Sequence, residues 1–150
     1  MRACVLSIGH FIETQAGYVV NGKLGMFPRK NTAVFLPRYL GKQGCKGKCE
    51  NRETCEKCLL ATLMGFAKKT GADIRVIYKK GDLKAGLKEL QGINSIVIIS
   101  TAEETARVIR QIRELKIPTM LFEVTKKRGL PNFDLNGFYR LWLTCFGRLP

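Results

Sequence analysis

NSIVIISTAEE, residues 94–104, joins a continuous apolar run to the start of a helix. Ile96, Val97, Ile98 and Ile99 are consecutive and β-branched, the pattern of a strand covered on both faces. Thr101 and Glu104 then stand at capping-box spacing, which predicts a helix from there to about Lys116. Val108, Ile109, Ile112 and Leu115 make its apolar stripe. Residues 118–124, PTMLFEV, read as the next strand. A strand, a helix and a strand at this spacing predict a parallel β-α-β unit with a right-handed crossover.

The same alternation extends outward. Residues 32–36, TAVFL, read as a short apolar strand ended by Pro37. A helix starting at Cys55 or Glu56 carries Leu59, Leu60, Leu63, Phe66 and Ala67, and Gly71 stops it after Lys68 and Lys69. Residues 73–78, DIRVIY, make another strand, Lys79-Lys80-Gly81 turns the chain, and Asp82 is placed to N-cap a short helix through Leu90. Residues 125–133 read as a loop, after which Asp134 caps a last helix through Phe146. Met64, Phe66, Phe138, Tyr139 and Trp142 fall at helical spacing and are assigned to the core. Upstream, residues 2–9 suit a buried strand in which Cys4 is a small core hydrophobe. Residues 17–27, with Asn21-Gly22, suit a short hairpin or an irregular arm. The expected fold is one α/β domain over 1–150. It has an open, mostly parallel Rossmann-like sheet of about four strands, helices on both faces and an N-terminal strand or hairpin arm over 1–31.

Four of the six cysteines lie within residues 45–58, CKGKCENRETCEKC, as C-x3-C-x5-C-x2-C. Four soft thiolates so close together suit one metal centre. A structural zinc site usually separates its two knuckles by a dozen or more residues, and here five intervene. An iron–sulfur cluster is wider than a single ion and accepts ligands from one compact loop, although this is not a ferredoxin spacing. Two disulfides are the third reading, and compartment decides it. Residues 1–14 lack the apolar core of a signal peptide, interrupted as they are by His10 and Glu13. No window approaches a membrane span. The expectation is therefore reduced thiols in the cytoplasm, with Cys45, Cys49, Cys55 and Cys58 holding an iron–sulfur cluster, or alternatively zinc. His10, the single histidine, reads as a surface or capping residue before it reads as a fifth ligand.

Charge points to the partner. Twenty-six basic against twelve acidic residues leave +14, which favours an anionic small molecule, an acidic redox partner or nucleic acid, and no membrane is expected. In a parallel sheet ligands gather outside the carboxyl ends of the strands. Those ends carry Arg38 and Tyr39, then Tyr78, Lys79 and Lys80, then Ser100 and Thr101, then Thr125, Lys126, Lys127 and Arg128. Lys79, Lys80, Lys126, Lys127 and Arg128, with the Ser100 and Thr101 hydroxyls, are the expected anion-binding set beside the cysteines. The sequence has no G-x-G-x-x-G after a strand, no G-x4-G-K-[ST] and no evident Ser/His/Asp or Cys/His set.

The order of these features resembles the family called domain of unknown function 116, of archaea and bacteria, over roughly residues 32–136. That family opens on a strand ending L-P-H-C-L, where this chain has Leu36-Pro37-Arg38-Tyr39-Leu40. Its cysteine-rich loop runs into a helix, as Cys45 runs on to Leu63. Its G-G-S turn corresponds to Lys80-Gly81-Asp82, its V-A-C strand end to Ile99-Ser100-Thr101, and its K-x-I-P strand start to Lys116-Ile117-Pro118. The family's G-C-x-N-T-x-V-D is met only in part by residues 129–136. Its strand-end cysteines are replaced here by Tyr39, by Ser100 or Thr101, and by Leu130, so a second centre held by them is not expected. The resemblance implies the α/β fold and a bound metal, iron–sulfur or other.

Two functions follow as expectations. The first is an iron–sulfur protein with an anion-binding edge, serving electron transfer, sulfur handling or metal-dependent chemistry on an acidic small molecule. The second is a zinc-stapled nucleic-acid-binding module that uses Arg107, Arg110 and Arg113 on one helix.

Overall fold

The computed structural model describes residues 17–41, 58–127 and 130–150; for residues 126, 127, 130 and 131 it describes the strand alone. In chain order the elements are β1 (Gly17–Val20), β2 (Thr32–Pro37), a 3-10 turn (Arg38–Leu40), α1 (Leu59–Lys68), β3 (Asp73–Ile77), α2 (Asp82–Lys88), β4 (Ser95–Ser100), α3 (Ala102–Leu115), β5 (Thr119–Glu123), β6 (Thr125–Lys127), β7 (Leu130–Asn132) and α4 (Leu135–Phe146). All six residues of β4 and all six of β2 are buried, as strands sandwiched between two helical layers must be.

The sheet runs β1-β5-β4-β2-β3. β2 pairs in parallel with β3 and with β4, and β4 with β5; β1 closes the far side antiparallel to β5. The architecture is thus the expected α/β Rossmann-like one, with five strands in the main sheet. The added strand is β1, from the stretch expected to be an arm. Its register sets Tyr18 opposite Leu121 and Val19 opposite Met120.

Period-two alternation divides the core. Val34, Leu36, Val97, Ile99, Met120 and Phe122 join the cluster that contains α1 and α4. Ala33, Phe35, Ile96, Ile98 and Leu121 join the one that contains α2 and α3. Helices therefore cover both faces. On the first face aromatic rings fill the space. Phe66 of α1 meets Trp142 at 4.9 Å edge-to-face, and Phe122 of β5 meets Phe138 at 5.6 Å in the same manner. On the second face α2 approaches β2 closely. A Cβ on Gly86 would lie 2.8 Å from the Phe35 ring, which accounts for a glycine inside a helix.

Local chemistry sets the element ends. Thr101 and Glu104 form the capping box of α3 in full. Asp134 caps α4 by accepting the Gly137 N–H at 2.9 Å. Asp82 does not cap α2 as expected: Gly81 is the N-cap, with φ 95°. The Asp82 carboxylate instead reaches back to accept the Tyr78 and Lys79 N–H groups at 3.1 and 3.0 Å. The helix expected to begin at Cys55 or Glu56 begins at Leu59, since Cys58 has extended backbone. Residues expected to be loop form the antiparallel pair β6–β7, whose three-residue strands are too short to show a period. The strand expected at residues 2–9 lies outside the described residues.

Phe138 is 1% exposed and lies among rings from β5, α1 and α4. Phe138→Ala should cost about 3–5 kcal/mol of unfolding free energy in urea titrations. A cost below ~1 kcal/mol would show that this aromatic layer does not hold α4 to the sheet.

Candidate functional site

Four parallel strands end on one edge, at Pro37, Ile77, Ser100 and Glu123. From β2 the chain crosses to β3 on one side, and from β4 it crosses to β5 on the other. β2 and β4 are neighbours, so the loops leaving them diverge and a crevice opens between them; ligands of doubly wound sheets bind at such a switch point.

One hydrogen-bonded cluster spans that crevice. From the β2 side Tyr39 donates its hydroxyl to Glu104 Oε1 at 3.1 Å. From the β4 side the Thr101 N–H donates to the same Oε1 at 3.1 Å, and Thr101 Oγ1 accepts the Glu104 N–H at 3.2 Å. Burial, and then the Glu104 charge and hydrogen bond, push the Tyr39 phenol well above its ordinary value, with the Thr101 backbone opposing in part. Tyr39 therefore stays a neutral donor at physiological pH.

Beside the cluster lies a cleft of about 310 Å³, whose walls include Tyr39, Tyr78, Lys79, Lys80, Thr101 and Arg107. Its charge is mixed. Glu103 and Glu104 also line it, and Arg107 pairs with Glu103 at 3.6 Å with both groups largely exposed. Such a pair is weak and leaves Arg107 available to a ligand. Glu104 is committed to Tyr39 and Thr101. Lys79 and Lys80 are exposed and form no ion pair with a carboxylate among the described residues.

The expected anion set is therefore only partly gathered. Lys79, Lys80 and Thr101 share the cleft. Ser100 does not reach it: it is 2% exposed and its hydroxyl is bonded to Thr105 Oγ1 at 2.7 Å, toward α3. Lys126 and Lys127 follow β5 from the same edge, but β5 is three strand positions from β3. At ~4.8 Å per position that is roughly 14 Å along the edge. Arg128 lies outside the described residues. Tyr39 and Glu104 had no assigned part in anion binding; the signal for Tyr39 is its place directly after β2.

Of the four expected metal ligands, Cys58 is described, while Cys45, Cys49 and Cys55 lie outside the described residues. Cys58 is the N-cap of α1, 3% exposed, with Sγ 4.0 Å from the Leu40 carbonyl oxygen. The two ends of the cysteine-bearing segment thus meet just past β2, on the edge that holds the crevice. Among the described residues no three His, Cys, Asp or Glu side chains converge as a metal site. Cys145 is fully buried in α4, and burial pushes its thiol up to about 12.

Comparison with family models, with curated proteins and with solved structures finds no match.

Tyr39, Tyr18 and Cys145 all have folded pKa values above their ordinary ones, Tyr18 and Cys145 at about 12. Groups shifted upward stabilise the fold while protonated. Stability should hold through neutral pH, begin to fall as pH passes the ordinary thiol and phenol values of 9.0 and 10.0, and go on falling toward the folded values. Tyr39→Phe should cost about 1–2 kcal/mol at pH 7 and flatten the decline above pH ~10. Denaturant titrations across pH 7 to 11 measure both effects. Parallel declines for variant and wild type would contradict the upward shift assigned to Tyr39.

Proposed function

We propose that this protein binds an anion in the switch-point crevice beside a metal centre held by Cys45, Cys49, Cys55 and Cys58, with an iron–sulfur cluster as the metal group. The observation that carries the reading is the meeting of Leu40 and Cys58 at the end of β2, next to the cleft of Tyr39, Lys79, Lys80 and Thr101. It brings the described residues that flank the cysteine segment, Leu40 and Cys58, to the edge of the sheet that carries the cleft.

The fit can be judged at Cys58. Its thiol makes no capping hydrogen bond and lies only at the outer limit of contact with a carbonyl, so ligation displaces no strong partner. The amino end of α1, ten residues long, favours negative charge on that sulfur. Near-complete burial keeps water from one side of a centre there. A cluster supplies one-electron transfer when bound. The chain's own residues do the rest. Lys79, Lys80 and Arg107 attract the anion, the Thr101 O–H orients it, and Glu104 holds Thr101 and Tyr39 in place. Electron transfer to an acidic partner, sulfur handling and metal-dependent chemistry on an acidic small molecule all fit this arrangement, in the reducing cytoplasm. No helix among the described residues is long and apolar enough to cross a membrane. The likeness to the domain of unknown function 116 family, in the order of its motifs, points the same way.

A second reading has one observation in its favour. Arg107, Arg110 and Arg113 are all exposed on α3, as a zinc-stapled nucleic-acid module requires.

Protein purified without oxygen should contain iron and acid-labile sulfide in comparable amounts, with charge-transfer absorption in the visible. Cys55→Ser and Cys58→Ser should each lose that absorption. Cys58→Ser should also cost about 1–3 kcal/mol, because a hydroxyl replaces a buried thiol. A colourless preparation with one zinc per chain would overturn the iron–sulfur reading, and steeply salt-dependent RNA or DNA binding would then select the second one.

A further inference from the structure

The opposite, amino edge of the sheet carries a second cleft, of about 560 Å³. Three separate segments build it. Arg29 and Lys30 precede β2, Lys69 follows α1, and Arg148 follows α4, while Trp142 and Phe146 form the floor. Among the described residues no Asp or Glu lines it. All four cations are exposed, and none pairs with a carboxylate among the described residues. Lys69 and Arg148 sit just past helix carboxyl ends, where the helix dipole favours a cation. Arg29 and Lys30 have no such reason to be there. Four like charges around one opening repel one another, and an anionic partner relieves the repulsion.

Exposed apolar side chains lie on segments that build or adjoin the same cleft. Met26, Leu143 and Leu149 are 70%, 45% and 44% exposed. Leu149 lines the cleft, and Leu143 lies on α4. The loop that carries Met26 is tied to the end of α4. The Phe27 N–H donates to the Cys145 carbonyl at 3.1 Å, and the Phe27 ring meets Phe146 at 5.3 Å. Cations beside unpartnered apolar side chains match the boundary of an anionic bilayer, where headgroup phosphates lie above acyl chains. Nucleic acid fits less well. Trp142 and Phe146 are 2% and 4% exposed, so no ring in the cleft is free to stack a base.

Although no membrane partner is expected from the sequence, we propose that this edge docks peripherally on an anionic phospholipid surface. Arg29, Lys30, Lys69 and Arg148 hold headgroup phosphates, and Met26 and Leu149 enter the acyl boundary. Docking there leaves the carboxyl-edge crevice facing the aqueous phase. The proposal does not depend on the metal reading.

Cosedimentation of the full chain with vesicles tests it. Vesicles of mixed phosphatidylglycerol and phosphatidylcholine should carry the protein down at low salt, and phosphatidylcholine vesicles should not. Arg29→Gln, Lys30→Gln and Arg148→Gln combined should weaken binding about a hundredfold, from three surface cations. Met26→Ser with Leu149→Ser should weaken it about tenfold while keeping the preference for anionic vesicles. All five positions are exposed, so each variant should fold, which circular dichroism checks. No binding to anionic vesicles at low salt would overturn the proposal, as would equal binding to neutral ones. So would an unchanged affinity in the folded triple variant. Single-stranded RNA binding that the triple variant abolishes, with no vesicle binding, would assign the cleft to nucleic acid and also overturn it.

Discussion

Burial of β4 on both faces is the constraint on which the other elements depend. Ile96 and Ile98 point to one side, Val97 and Ile99 to the other, and all are at most 1% exposed. A strand apolar on two faces needs two helical layers, and the right-handed crossover rule decides which helix goes where. α1 and α4 cover one side, α2 and α3 the other. With the layers settled, the loops after β2 and β4 must diverge. The crevice that Tyr39, Thr101 and Glu104 bridge is thus a consequence of core packing. The geometry of that edge is set by residues that never touch it.

Charge is distributed less simply than its total suggests. A sum of +14 invites the view that any rim of lysines binds anions. At the carboxyl edge two glutamates line the cleft together with Lys79, Lys80 and Arg107, so the field there is moderate and position matters more than strength. At the amino edge no described Asp or Glu lines the cleft beside its four cations, so there the field is stronger and less specific. Moderate, oriented charge suits a discrete anion placed beside a redox or metal group. Uncompensated charge with exposed Met26 and Leu149 suits a broad anionic surface.

Much of this was legible in the chain because it rests on local chemistry. The capping box of Thr101 and Glu104, the Asp134 cap and the apolar run at 96–99 are each written within a few residues. Strand-end positions followed from the alternation, and with them the shared edge of Lys79, Lys80 and Thr101. What was missed required distant information. Gly17–Val20 lies within the expected strand or hairpin arm, but its place in the main sheet depends on Phe122 and Leu121 beside it. Asp82 looked like a cap because its neighbours were helical, yet Gly81 in left-handed backbone took the role. Ser100 follows the alternation inward to Thr105, a partner five residues on. The amino-edge cleft was invisible because residues 29–30, 69 and 148 meet only after folding.

In the proposed function the cysteines hold the metal and the cleft of Lys79, Lys80 and Thr101 holds the anion on one edge of the sheet. Paramagnetic broadening in amide spectra of anaerobically prepared protein, oxidised and reduced, tests it most directly. The account predicts that amides of Leu40, Gly41, Leu59, Thr101 and Glu104 lose intensity, while those of Arg29, Lys30 and Arg148 at the opposite edge keep it. Broadening centred on the amino edge, or iron-loaded protein with no broadening near Leu40 and Thr101, would contradict it.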